Sequence, residues 1–67
     1  MVEELAEDIA RRQDTGEVRR DVPAKKLARL VVAAFDGLQL QWLYDKNVDM
    51  ADGLTQLIDV LLAPPAA

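Results

Sequence analysis

Asp36 is the acidic side chain that this sequence places in its most apolar surroundings. It lies within residues 27–45, LARLVVAAFDGLQLQWLYD, and a carboxylate held in such a stretch could act as a general base. The alternative is a hydrated carboxylate on a polar strip shared with Arg29 and Gln39. We favour this alternative because aspartate side chains are mostly exposed to solvent.

Nothing else in the sequence strengthens a catalytic interpretation. The chain contains no His, Cys or Ser, which removes the commonest nucleophiles and general bases as well as thiolate and imidazole metal ligands. Gly37 and Gly53 are too far apart to form a phosphate-binding loop. We therefore expect neither an enzyme nor a bound metal or cofactor.

Aromatic and aliphatic side chains near Asp36 could instead bind a small molecule. A pocket for a hydrophobic effector would be lined by Phe35, Leu38, Trp42 and Tyr44. The alternative for Trp42 is a place in the core or in an interface, and we favour it because Trp42 belongs to the main apolar stripe of its helix.

Charge patterning argues against a nucleic-acid surface. The net charge is −4. Arg11 and Arg12 follow Glu7 and Asp8 by four residues, which is the spacing of ion pairs along a solvated helix. The other two basic doublets, residues 19–20 and 25–26, could form a small basic patch around a loop. No interleaved aromatic residue supports nucleic-acid contact there.

The long apolar segment is predicted to be a helix over residues 23–45. Asp36-Gly37 is also a β-hairpin turn signal. The helix is favoured because Pro23 suits its first position, with Asp21 or Val22 as the cap, and because one face is continuously apolar. That stripe consists of Leu27, Leu30, Val31, Ala34, Phe35, Leu38 and Trp42.

The same helix has a second apolar face, made of Ala33, Gly37, Leu40 and Tyr44 and bordered by Leu30 and Gln41. A glycine inside a helix costs about 0.5–1 kcal/mol relative to Ala. Gly37 therefore indicates either the close approach of another helix or a locally tolerated glycine. Gln41 either donates across a symmetric interface or reaches water. Two apolar faces predict two packing partners.

Two further helices complete an all-α, single-domain prediction over residues 1–67. The first spans residues 2–13 and ends at Thr15-Gly16, and a connector, residues 17–22, is held to the core by Val18 and Val22. The third spans residues 50–62, is capped by Asp49, and carries Met50, Leu54, Leu57 and Leu61 on one seam with Ile58 beside it. Residues 63–67 are expected to be a frayed tail.

The size of the chain favours oligomerisation. At 67 residues a single core supplies only about 3–5 kcal/mol, and small domains usually add disulfides, metals or partners. Without Cys or His, association is the device that remains. No apolar run reaches the roughly 18–20 residues of a membrane span and no signal peptide is evident, so a cytoplasmic protein is expected.

The segment from Gly16 to Leu62 resembles the C-terminal end of regulators of the tetracycline-repressor (TetR) family. The resemblance rests on GEVRRDVP, LVVAAFDGLQLQWL, NVDM and the leucine-rich last helix, and covers about two-thirds of the chain. It implies that residues 23–44 and 50–62 are the two helices that pair with their twins in a homodimeric four-helix bundle. The interface residues implied are Leu30, Ala33, Ala34, Gly37, Gln41, Leu54, Leu57, Ile58 and Leu61.

The DNA-binding domain of that family and most of its effector pocket have no counterpart here, so we expect a fragment of a longer regulator. The leading hypothesis is a dimerisation segment that makes no direct nucleic-acid contact. One alternative is a piece that binds a small-molecule effector. Another is a stand-alone adaptor that heterodimerises with a full-length regulator. The first helix could pack within its own chain or exchange with a partner, giving a swapped dimer or a larger assembly.

Overall fold

The computed structural model describes residues 1–64 and is built from three helices. Helix α1 spans Val2–Asp14, α2 spans Ala24–Tyr44, and α3 spans Met50–Leu57. A π-helical turn, Ile58–Leu62, continues directly from α3. Residues 1–64 contain no strand, so the prediction of an all-α fold with three helices is confirmed. Residues 65–67 of the predicted frayed tail lie outside the described part.

Helix α1 has the amphipathic pattern that its sequence predicts. Ile9 is buried, and Val2, Leu5 and Ala6 pack around the same core from the same side. The helix ends at Thr15, and Gly16 follows with a φ of +82°, a left-handed conformation that glycine adopts without strain.

Helix α2 runs without interruption through Asp36-Gly37, which excludes the hairpin alternative. Its start differs from the prediction in one detail: Pro23 is the cap and Ala24 the first helical residue. Pro23 has an extended backbone, and its carbonyl accepts the first helical hydrogen bond from the Leu27 N–H at 3.1 Å. Asp21 does not cap the helix because its carboxylate is bonded to the Arg19 guanidinium instead.

Helix α3 begins as predicted. The Asp49 carboxylate accepts a hydrogen bond from the Asp52 N–H at 3.0 Å, satisfying one of the free donors of the first turn. The π-helical turn brings the last turns back toward the connector, where the Leu62 carbonyl accepts a hydrogen bond from the Arg19 N–H at 2.9 Å.

The connector between α1 and α2 is held by one amide side chain. Gln13 Nε2 donates to the carbonyl oxygens of Arg19 and Val22, each at 2.9 Å. Val18 is buried and Val22 packs against the core, which confirms that these two valines hold the connector to the core. The loop is therefore fixed both by apolar contacts and by hydrogen bonds.

The core is small and lies at one end of α2. Its buried residues are Ile9, Val18, Leu27 and Ala28, so α1, the connector and the first turns of α2 supply all of it within residues 1–64. Helices α1 and α3 both pack on α2 but do not contact each other. The molecule measures 37 × 28 × 14 Å, a flattened shape that leaves much of the C-terminal half of α2 uncovered. None of the helices in the described part is both long and apolar enough to cross a bilayer.

Candidate association surface

The second apolar face of α2 is open to solvent. We call it the outer face and define it as Leu30, Ala33, Gly37, Leu40 and Tyr44. Leu30 is 47% exposed, Leu40 52% and Tyr44 85%. At 100° per residue the outer face is centred about 100° from Leu27 and about 160° from Ala28, so it adjoins the main apolar stripe at Leu30. Large apolar side chains of this kind usually end up covered in a stable protein.

Gly37 lies in the middle of the outer face and has open space beside it. A Cβ placed on Gly37 would meet no atom within 4 Å outside its own helical turn. Its missing side chain is therefore not needed for packing inside the chain. The glycine that permits a close approach within the chain is Gly53 on α3, where an added Cβ would lie 2.5 Å from Leu38 Cδ2.

The other predicted interface residues divide into three groups. Gln41 and Ile58 are exposed, whereas Ala34 and Leu61 are partly covered by their own chain. Leu54 and Leu57 face the groove between α3 and α2 and line a cavity there. Within one chain the structure brings Leu54 and Leu57 next to α2, and association itself stays a prediction.

The main apolar stripe of α2 is less buried than its sequence suggests. Leu27 is buried and Val31, Ala34 and Leu38 are partly buried, as expected. The expectation of burial is wrong for Leu30, Phe35 and Trp42, which are all exposed. Leu30 is exposed because it lies at the edge of the stripe, beside the outer face. Phe35 and Trp42 are exposed because α1 and α3 leave the C-terminal half of α2 partly uncovered.

A cavity of about 380 Å³ opens where α1, α2 and α3 come together. Its walls are almost wholly apolar, and Asp36 is the one charged side chain among them. The residues lining it are Met1, Leu5, Val31, Val32, Phe35, Asp36, Gln39, Leu54 and Leu57. A second cavity, lined by Gln39, Trp42, Leu43 and Met50, adjoins it through their common residue Gln39.

The structure does not bring the four predicted pocket residues together. Phe35 lines the first cavity and Trp42 the second, while Leu38 packs against Gly53 and Tyr44 points into solvent. The Trp42 ring is covered instead by Lys46, whose Nζ lies 3.4 Å from the ring centroid, in a cation–π contact.

Charged side chains pair mainly on α1 and the connector. Asp8 contacts Arg12 Nε at 3.1 Å and Arg11 at 3.2 Å, which supports the helix-face interpretation of that basic doublet. The hydrogen bond from Arg12 lowers the pKa of Asp8, and the hydrogen bond from Arg19 lowers the pKa of Asp21. Among residues 1–64, no cluster of three acidic side chains could hold a metal ion.

Comparison with known proteins gives no assignment. No family model matches the chain, and no curated protein or solved structure matches it significantly.

Three residues gain a role that sequence reasoning missed. Gln13 fixes the connector, Gly53 permits the contact with Leu38, and Gln39 joins the two cavities. For Gly53 a signal was present, since a glycine inside a helix often marks a close approach. For Gln13 and Gln39 there was none, because glutamine is common on exposed helix faces.

Proposed function

We propose that this chain is an association module that acts by pairing the outer face of α2 with a second copy. The observation that carries the proposal is the exposed outer face, a row of apolar positions along α2 that its own chain leaves largely uncovered. Pairing two such helices, with α3 alongside each, gives the four-helix arrangement predicted for a homodimer.

The solvent-accessible surface area of the chain supports this proposal. Its accessible surface is 4897 Å², whereas a compact monomer of the same mass exposes about 4200 Å². The excess, about 700 Å², is close to the roughly 800 Å² that each partner buries in an interface of standard size. Among residues 1–64 the core has four buried residues, which is small for a chain of this size. Burial of the outer face would add the apolar contacts that the single chain lacks.

We further propose that the module serves a TetR-like transcriptional regulator. This part rests on the resemblance of residues 16–62 and on the two-faced helix within it. In such a regulator the module would hold two subunits together so that each contributes one DNA-binding domain.

The test is a pair of charge insertions followed by sedimentation equilibrium. Leu40→Glu places a carboxylate in the centre of the outer face, and Val60→Glu places one at a 67% exposed position on the π-helical turn. An unpaired charge in an interface costs about 3 kcal/mol, which corresponds to roughly 100-fold weaker association. We expect that loss for Leu40→Glu and wild-type association for Val60→Glu. Equal association of both variants and the wild type would overturn the proposal.

The cavity beside Asp36 favours a second candidate function, the binding of a small molecule. A volume of about 380 Å³ falls in the range of ligand pockets. An apolar wall with one carboxylate suits a ligand that has an apolar body and a positive group.

Three probes of equal length test this candidate: hexyltrimethylammonium, hexanol and hexanesulfonate, with binding followed by NMR shifts of the cavity residues. We expect the cation to bind most tightly and Asp36→Asn to remove its advantage over hexanol. Equal shifts for all three probes, or no effect of Asp36→Asn, would rule out this candidate.

A further inference from the structure

We propose that two copies pair through α2 in an antiparallel orientation, with the two-fold axis between Gly37 and Leu40. The inference rests on the proposed function and specifies its geometry. Its partner is a second copy of this chain, and its contact is the outer face of α2.

The first argument is the order of side-chain sizes along the outer face. Ala33 and Gly37 are small, Leu40 and Tyr44 are large, and their spacing of four, three and four residues is the same read in either direction. An axis between Gly37 and Leu40 therefore sets Gly37 against the partner's Leu40 and Ala33 against the partner's Tyr44. Each large side chain then meets a small one, which permits close packing. A parallel pair would set large against large at one end and leave a gap at the other.

The open space beside Gly37 fits this register. No atom of its own chain lies within 4 Å of the position a Cβ would take. Half-exposed Leu40 has a side chain that needs a place to be buried. In the antiparallel pair the partner's Leu40 occupies the space that Gly37 leaves free.

The second argument is the distribution of charge about the two ends of α2, in its own first turns and in the loop and first turn of α3 that follow its last residue. Residues 24–30 carry Lys25, Lys26 and Arg29 and no acid, whereas residues 45–52 carry Asp45, Asp49 and Asp52 with Lys46 as the one base. Antiparallel pairing lays the first segment of one copy alongside the second segment of the other. A parallel pair would lay each segment alongside its like-charged twin.

Within one chain the basic segment has no compensation. No described residue forms a salt bridge with Lys25, Lys26 or Arg29. The first turn of α2 contains no acidic residue, so Lys25 and Lys26 lie unfavourably at the positive end of the helix dipole. The partner's aspartates would supply the missing negative charge.

The experiment is a charge exchange between two variants of the full chain. The acidic variant carries Lys26→Glu and Arg29→Glu, and the basic variant carries Asp45→Lys and Asp52→Lys. Both leave Asp49, the cap of α3, in place. Helix content of each variant alone checks that it folds.

In an antiparallel pair each variant repels its own twin but attracts the other variant. A parallel pair shares this preference, because one variant is acidic in both segments and the other is basic in both. Self-association of the basic variant relative to the wild type therefore decides between the two orientations. We expect an equimolar mixture to give heterodimers well above the half expected from random pairing, measured by native mass spectrometry with one variant mass-tagged. The preference should fall as salt is added.

Net charge alone would also favour the heterodimer, because Lys26→Glu and Arg29→Glu take the acidic variant from −4 to −8, but it cannot weaken self-association of the basic variant. The two substitutions in the basic variant bring its net charge from −4 to zero. The loss of general repulsion between copies would make it associate more tightly than the wild type. The antiparallel pair requires it to associate more weakly with itself.

Two outcomes would overturn the inference, and both differ from failure of the proposed function. If the two variants are dimeric but mix at random, the proposed antiparallel pairing is wrong. Preferential pairing of the acidic variant with the wild type would indicate a parallel pair. A monomeric wild-type chain, in contrast, would remove the proposed function itself.

Discussion

Gly53 of α3 lies so close to Leu38 of α2 that a Cβ on Gly53 would be 2.5 Å from Leu38 Cδ2 and 3.0 Å from Cδ1. A side chain at position 53 would therefore displace the Leu38 side chain from its present position.

Substitution Gly53→Ala should destabilise the fold although alanine favours helix. The methyl group forces Leu38 from its position, at a cost that exceeds the roughly 0.5–1 kcal/mol gained in helix propensity, so we expect a net loss of about 1 kcal/mol. In a Leu38→Ala background the clash is absent and Gly53→Ala should stabilise. Chemical denaturation of the four chains measures the coupling, and purely additive effects would contradict this contact.

Substitution Gly37→Leu should separate folding from association. Because no atom lies within 4 Å of an added Cβ at Gly37, the chain itself should tolerate leucine and gain helix propensity. The same side chain would fill the space proposed for the partner's Leu40. We expect retained helix content and association weakened at least about tenfold, about 1.4 kcal/mol.

The matched control for Gly37→Leu is Ala10→Leu, which adds a similar side chain to the exposed side of α1. Light scattering of both variants at one concentration compares them. Tighter association of Gly37→Leu than of the wild type would argue against close approach at Gly37.

Gln13→Ala should loosen the connector between α1 and α2. It removes the donor for the carbonyl oxygens of Arg19 and Val22 in a partly buried place, and we expect a loss of about 1–3 kcal/mol in the free energy of unfolding. Gln56→Ala, at an exposed position on α3, is the control and should change stability by less than about 0.5 kcal/mol. Hydrogen exchange of the residue 17–22 amides would locate the effect, and unchanged protection would contradict it.

These residues also indicate how far sequence reasoning reaches. Asp49 before an apolar periodic run predicts a helix start by local chemistry, and Val18 and Val22 are the only large apolar residues of their connector. Both inferences depend on neighbours in the sequence and were confirmed. The two faces of α2 were recognised from its period, but the exposure of Phe35 and Trp42 was not, because it depends on how far α1 and α3 extend along α2.

The candidate cavity was the hardest feature to foresee. Its walls come from all three helices, and only Phe35 among the predicted pocket residues lies in it. Leu38 packs against Gly53 instead, and Tyr44, the last residue of α2, is 85% exposed. Periodicity assigns residues to a face of a helix. It does not show at which level along the helix the neighbouring helices pack, and that level decides which residues share a cavity.

The ion pairs of Asp8 predict how stability responds to acid. Arg12 and Arg11 lower the pKa of Asp8 in the folded chain below its ordinary value of 3.8. Its contribution to stability is therefore complete above pH 3.8 and is lost as the pH falls through the lower folded-state value.

Thermal melting against pH tests this. Asp8→Asn should melt below the wild type at neutral pH, and the difference should vanish well below pH 3.8. The control, Asp59→Asn, removes an exposed carboxylate that forms no salt bridge with any described residue and should follow the wild type throughout. If the melting temperature of Asp8→Asn stays below that of the wild type in acid, the ion pairs of Asp8 with Arg11 and Arg12 do not cause the difference.

The central claim, that α2 is completed by a second copy of the chain, is tested most directly by the solution mass of the wild type. Light scattering over a concentration series, with helix content followed in the same samples, gives both quantities at once. We predict a mass of twice 7.4 kDa at high concentration that falls toward the single-chain mass on dilution. A fully helical monomer at every concentration would contradict the claim.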